Sequence, residues 1–229
     1  MSKRSTRYKN SEQKQTSGLT AQNNKQRSYI SAIKHYEMVF GLGPAGTGKT
    51  YITATLASDM FIRKDIDKII LTRPNVASGK SLGFSPGTQN EKMQEWLLPI
   101  LSTLRQHLGA NTVQNAVSNG NIEFSPLEKM RGRSFDDAFI ILDEAQNVTR
   151  DEVKMFLTRI GVGSKTVISG DVQQSDLHTA NGLGVAVHLA DKYNIDVPVV
   201  EFGVDDIVRS DLCKQWIKAF MNEDKRDKR

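Results

Sequence analysis

The sequence predicts an α/β fold, a mainly parallel sheet with helices on both faces, and three observations carry the prediction. Between about Gln22 and Phe220, short apolar runs alternate with longer helical patterns, the order from which parallel sheets with crossover helices are built. The run Phe139 to Leu142 contains no polar residue, as expected of a central strand covered on both sides. The stretch Gly43-Pro44-Ala45-Gly46-Thr47-Gly48-Lys49-Thr50 lies between the apolar run Met38 to Leu42 and an amphipathic segment from Tyr51 to Ile62. That context makes it a strand, a loop and a helix start.

Along the chain, strands are expected at Met38 to Leu42, Lys68 to Leu71, Ile122 to Phe124, Phe139 to Leu142, Thr166 to Ser169 and Pro198 to Phe202. Helices are expected to begin near Gln22, Lys49, Asn90, Thr149, Ala180 and Asp211. Residues 22–220 read as one domain. Residues 1–21 read as a basic, disordered leader carrying Lys3, Arg4, Arg7, Lys9 and Lys14, and 221–229 as a charged tail. The segment 75–88, rich in Gly, Ser and Pro, is too polar for core and reads as a functional loop.

Composition excludes several classes. With 229 residues, 38% of them hydrophobic, the chain can bury a real core. The longest apolar runs, such as Ala138 to Leu142 and Val197 to Val200, are far too short to cross a bilayer, and the basic N-terminus has no apolar signal core. The expectation is a soluble, cytoplasmic protein with no membrane partner. A single cysteine, Cys213, leaves no internal disulfide framework, and His35, His107, His178 and His188 lie at no metal-ligand spacing. The net charge of +5 is a mild pull toward a polyanionic partner.

The glycine-rich stretch carries the chemistry. Gly43, Gly46 and Gly48 let successive N–H groups turn inward around phosphate oxygens, and the helix N-terminus behind them adds partial positive charge. Lys49 can then reach the β- and γ-phosphates, and the Thr50 hydroxyl can ligate Mg²⁺. The whole loop, Gly43, Pro44, Ala45, Gly46, Thr47, Gly48, Lys49 and Thr50, together with Tyr51, is the expected nucleotide-contacting set.

About ninety residues later, the apolar run Phe139 to Leu142 ends in Asp143-Glu144. Ligands collect at the carboxyl ends of parallel strands, so Asp143 is expected to hold Mg²⁺ and Glu144 to act as base toward an attacking water. Thr166 to Ser169 runs into Gly170-Asp171 at the same edge, which makes Asp171 and Gln174 candidates to sense the γ-phosphate. Gln26, on the helix before the loop, has an amide that can read an adenine edge.

Taken together, Gly43 to Thr50, Thr72-Arg73-Pro74, Leu82-Gly83-Phe84 with Pro86-Gly87, Met130-Arg131-Gly132-Arg133, Phe139 to Asn147, Gly170-Asp171 with Gln174, and Asp206-Ile207-Val208-Arg209 resemble the PhoH family in its short form. The resemblance implies a RecA-like P-loop NTPase core related to superfamily 1 helicases, with ATP and Mg²⁺ as ligands. It also implies RNA-linked activity and ring-shaped homo-oligomers, a hexamer being the candidate size. Lys80 and Ser85 depart from the family pattern, where an acidic and an apolar residue are expected.

Helicases of that superfamily close ATP between two lobes, the second supplying an arginine, and the chain has sequence for one lobe. A neighbouring copy is therefore expected to supply the arginine, with Arg131, Arg133 and Arg209 as candidates, and an isolated copy to be a poor ATPase. By the same analogy Arg73, Lys80 and Phe84 approach single-stranded nucleic acid, RNA being favoured. Two other readings remain: a slow, nucleotide-gated binding or scaffold protein, and a small-molecule kinase. The kinase is less favoured because Asp143-Glu144 followed by Gln146 suits activation of water.

Overall fold

Six strands build one sheet in which every pair is parallel, rather than mainly so. The computed structural model describes residues 18–74, 96–171 and 181–227. The strands are β1 (Met38–Leu42), β2 (Lys68–Thr72), β3 (Ile122–Phe124), β4 (Ala138–Leu142), β5 (Lys165–Gly170) and β6 (Val199–Glu201), in the spatial order β3-β2-β4-β5-β1-β6. Each lies within a residue or two of its expected limits, because apolar runs flanked by polar turns mark strand ends sharply.

The helices are α1 (Asn24–His35), α2 (Lys49–Arg63), α3 (Leu98–Leu108), α4 (Ala110–Ser118), α5 (Arg150–Leu157), α6 (Gly182–Lys192) and α7 (Asp211–Asp227). Local chemistry starts several of them. The Asn23 side chain accepts from the Gln26 N–H at the head of α1, and Asn181 does the same for Gly184 at the head of α6. Thr149 and Glu152 close a reciprocal capping box on α5.

Successive side chains of a strand point to opposite faces, and the two cores follow that alternation. Phe139 and Ile141 of β4 join Ile69, Leu71 and Val167 under α1 to α4, with Tyr29, Ile52, Leu101 and Leu104 from the helices. Ala138, Ile140 and Leu142 face the other way, with Ile70 and Ile168, against Val153 and Phe156 of α5 and Leu183 and Ala186 of α6. All five residues of β4 are buried. Each large apolar side chain so covered contributes roughly 1.5–3 kcal/mol.

Two expectations are corrected. Helix α4 was not expected: it buries only Val113 and Ala116, too few apolar positions to show a helical period. Residues 221–227, read as a charged tail, continue α7 as helix, in keeping with the helical preference of Glu, Lys and Arg. Residues 1–17 of the leader expected at 1–21, the loop segment 75–88 and the helix start near Asn90 fall outside the described residues, whereas Leu19 of that leader packs against the core. Among the described residues, no helix is long and apolar enough to cross a membrane.

Candidate active site

The strand register decides what meets at the sheet's carboxyl edge. Leu42 of β1 pairs with Gly170 of β5, and Leu142 of β4 with Ile168, so β5 stands between the phosphate-loop strand and the acidic strand. Three strand ends therefore open onto one cavity of about 340 Å³, within the range of small-molecule sites. Its lining includes Gly43, Ala45, Gly46, Thr47, Gly48, Lys49, Thr50 and Tyr51 from the loop and α2. Asp143, Glu144, Gln146, Gly170, Asp171 and Arg209 close it from the other strand ends, and Pro99 and Thr103 from α3.

The loop is held by its backbone. Gly43 has φ 125°, where a Cβ would lie 2.2 Å from the Phe202 carbonyl oxygen, so no other residue fits. Gly48, with φ 87°, precedes α2 and makes no side-chain cap, which leaves the first-turn N–H groups of that helix to the cavity. Lys49 curls back over the loop: its ammonium donates to the carbonyls of Gly43 (2.6 Å) and Pro44 (2.8 Å) and to the Thr47 hydroxyl (3.2 Å). Burial pulls its pKa below the usual lysine value, opposed by Asp171, Asp143 and Glu144. A positive group folded into a cradle of inward-facing backbone suits an anion of several negative charges.

The acidic end is held by side chains. Asp143 donates its N–H to the Thr72 carbonyl (3.1 Å), continuing the β2–β4 ladder by one residue. Burial, with Glu144 adding its negative charge, pushes the Asp143 carboxyl up to about 6, against the pull of Arg73 and Lys49. Glu144 sits in the left-handed region at φ 54°, a strained place for a residue with a side chain. One of its carboxylate oxygens accepts from Gln146 Nε2 (2.6 Å), and the other lies 3.6 Å from Arg73 Nη2. The Gln146 Oε1 in turn accepts the Asp171 N–H (3.1 Å), so one buried amide ties the end of β4 to the end of β5.

A hard divalent cation fits this donor set. Thr50 and Asp143 line the same cavity with oxygen donors, and Asp143 is kept from full ionisation at neutral pH by its surroundings, a condition that a nearby cation relieves. Among the described residues no group of three or more His, Cys, Asp or Glu could hold a metal. The remaining ligands would have to be phosphate oxygens and water, the usual state of Mg²⁺.

Other expected site residues lie elsewhere. Gln26 is 3% exposed and does not present its amide to the cavity: Nε2 donates to the Thr47 carbonyl (3.0 Å) and Oε1 accepts the Gln22 N–H (2.9 Å). In this arrangement it braces the loop from behind. Arg209 is placed beside the loop of its own chain. The Val208 N–H bonds the Gly46 carbonyl (2.9 Å), a Cβ on Gly46 would lie 3.1 Å from the Arg209 Cγ, and this arginine lines the cavity.

Arg133 does not protrude: it forms a two-pronged ion pair with Glu123 of β3 and lies 4.8 Å over the Phe135 ring. Arg131 is exposed beside Gly132. Gln174, Lys80 and Phe84 lie outside the described residues. Sequence reasoning did not assign Pro99 or Thr103 to the site, and gave Gln146 only a general part in activating water. Gln146 lay two residues past the acids and was legible as part of that turn. No sequence signal tells that α3 packs over α2.

A parallel α/β sheet with a phosphate loop after β1 and paired acids after β4 defines a protein of the P-loop nucleotide-binding class. The model of the PhoH-like protein family matches residues 18–221, and the chain belongs to that family. It is 46% identical to a PhoH-like protein of Bacillus subtilis over 196 residues, 85% of this chain and 61% of that one. It is 44% identical to a PhoH-like protein of Mycobacterium tuberculosis strain H37Rv over 197 residues, 85% and 56% of the two chains. It is 40% identical to Protein PhoH of Escherichia coli K12 over 209 residues, 90% and 59%. The matched part thus spans about six tenths of the length of these relatives.

Proposed function

We propose that the chain is a Mg²⁺-dependent ATPase whose turnover is coupled to binding or remodelling single-stranded nucleic acid, RNA in preference to DNA, and that it works as a homo-oligomer. The observation that carries the reading is the convergence of Lys49, Thr50, Asp143, Glu144 and Asp171 on one cavity. In this reading the Lys49 ammonium exchanges the Gly43 and Pro44 carbonyls for the β- and γ-phosphates. Thr50 and Asp143 would hold Mg²⁺, which when bound neutralises phosphate charge. Glu144 takes the proton of the attacking water, and Gln146 orients the carboxylate that takes it. Asp171, joined to Gln146 through its N–H, carries the loss of the γ-phosphate into the end of β5.

Arg209 supplies its positive charge within the subunit, and Arg131, exposed, is the arginine suited to reach a neighbouring copy. The nucleic-acid and oligomer parts draw on the family resemblance and on the net charge of +5. A second reading, slow hydrolysis that gates binding, is favoured by the ion pair holding Glu144 to Arg73.

Phosphate release from ATP, measured over a range of protein concentrations with and without single-stranded RNA, beside Lys49→Ala and with mass determined at each concentration, tests both. Turnover per subunit that rises with assembly and with RNA, and is lost in Lys49→Ala, supports the ATPase. Tight nucleotide binding with negligible turnover in the assembled protein supports the gated reading. Transfer of phosphate to a small acceptor without its release would return the kinase.

A further inference from the structure

Arg73 stands at the end of β2 and, among the described residues, meets two groups. Its Nη1 donates to the Trp96 carbonyl (3.0 Å), and its Nη2 faces a Glu144 carboxylate oxygen at 3.6 Å. It is absent from the lining of the phosphate cavity. Its side chain keeps 29% of its surface exposed, and that of Glu144 38%. An anion arriving from solvent can therefore reach Arg73 without entering the phosphate cavity. Guanidinium binds phosphate and carboxylate with the same planar fork, so a phosphate and Glu144 compete for it.

The geometry points to Arg73 as the link between the two halves of the proposed function: it holds the Glu144 carboxylate out of position for the attacking water until a backbone phosphate of single-stranded nucleic acid takes the guanidinium. The coupling to hydrolysis rests on the reading of Glu144 as base; the competition for Arg73 does not. With both oxygens engaged, by Arg73 on one side and Gln146 on the other, the carboxylate is held in one orientation. Removing Arg73 leaves Gln146 as the remaining orienting contact of those two, the arrangement suited to turnover. Arg73 is thus a positioning residue that acts through Glu144.

The test needs no hydrolysis. Binding of a fluorescent poly(U) strand is measured without nucleotide for the wild-type chain, Glu144→Gln, Arg73→Gln and the double variant, a double-mutant cycle. Binding of a labelled ATP analogue reports that each variant is folded. Glu144→Gln frees the guanidinium and should tighten poly(U) about two- to fivefold, the scale of a partly exposed ion pair. In the R73Q background the same change should matter much less, leaving only long-range charge. Arg73→Lys, which keeps the charge, should restore part of the difference.

Phosphate release supplies the second readout: Arg73→Gln should hydrolyse ATP several-fold faster than wild type without poly(U) and respond little when it is added. Equal effects of Glu144→Gln in both backgrounds, or no poly(U) binding by the wild-type chain, overturn the competition. A non-additive cycle with unraised basal turnover in Arg73→Gln overturns the restraint on Glu144. A non-additive cycle in a chain that hydrolyses no ATP overturns the ATPase reading while the competition stands.

Discussion

The phosphate loop and the turn after β4 face each other across one cavity, yet they are built by opposite means. The loop is backbone: Gly43 fits only as glycine against the Phe202 carbonyl, and Gln26 braces the Thr47 carbonyl from behind. The turn is side chain: Glu144 carries a left-handed backbone with no glycine to ease it, and its two oxygens are held from two different elements. The loop is thus preorganised before any ligand arrives, whereas the turn has a partner it can lose. In the proposed function, binding sits on the rigid half and control on the adjustable half.

The largest effect should come from the rigid half. Lys49→Ala removes the cation that the loop exists to place, and should lower both labelled-ATP affinity and phosphate release, the latter by roughly 10²–10³ or more. Retained turnover would break the comparison at its base. Glu144→Gln should separate the halves: phosphate release falls by about 10²–10⁴ while the affinity for labelled ATP changes little. Normal turnover in Glu144→Gln would remove the base from the scheme.

Gln26→Ala tests the brace. It leaves the Thr47 carbonyl and the Gln22 N–H without their partners, and should cost about 1–3 kcal/mol in chemical denaturation, with weaker ATP binding and no change in the pH dependence of stability. An effect confined to one pH range concerns Asp143, whose carboxyl stands near 6 in the folded chain against an ordinary 3.8. The unfolded chain gives up that proton first, so the stability this group contributes is full below about pH 4 and is lost as pH rises to about 6. Asp143→Asn should therefore raise the unfolding free energy of the nucleotide-free protein by on the order of 3 kcal/mol at pH 8, with no gain at pH 4. A gain independent of pH would mean that burial of charge is not what strains this carboxyl.

Legibility followed the same division. The eight residues Gly43 to Thr50 are contiguous, and their chemistry lies in local backbone conformation, so the sequence showed the loop, its strand and its helix together. The acids after β4 were legible because an unbroken apolar strand announces its own end. The partners of those acids were not. Arg73 had been read as a contact for nucleic acid, and the structure adds its contact with Glu144. Arg209 had been one of three candidates to serve a neighbour, and the structure adds its place beside Gly46 of its own loop.

By itself, then, the sequence determined the α/β class, the strands to within a residue or two, and the identity of the phosphate loop and the acidic pair. Those properties depend on residue types within a few positions of one another. Only the tertiary structure decided the strand order that places β5 between β4 and β1, the cover of α3 over the cavity, the brace by Gln26, and which arginine meets which carboxylate. These join residues far apart in the chain, and a side chain's partner is set by where the packed sheet and helices carry it. No local pattern records that position.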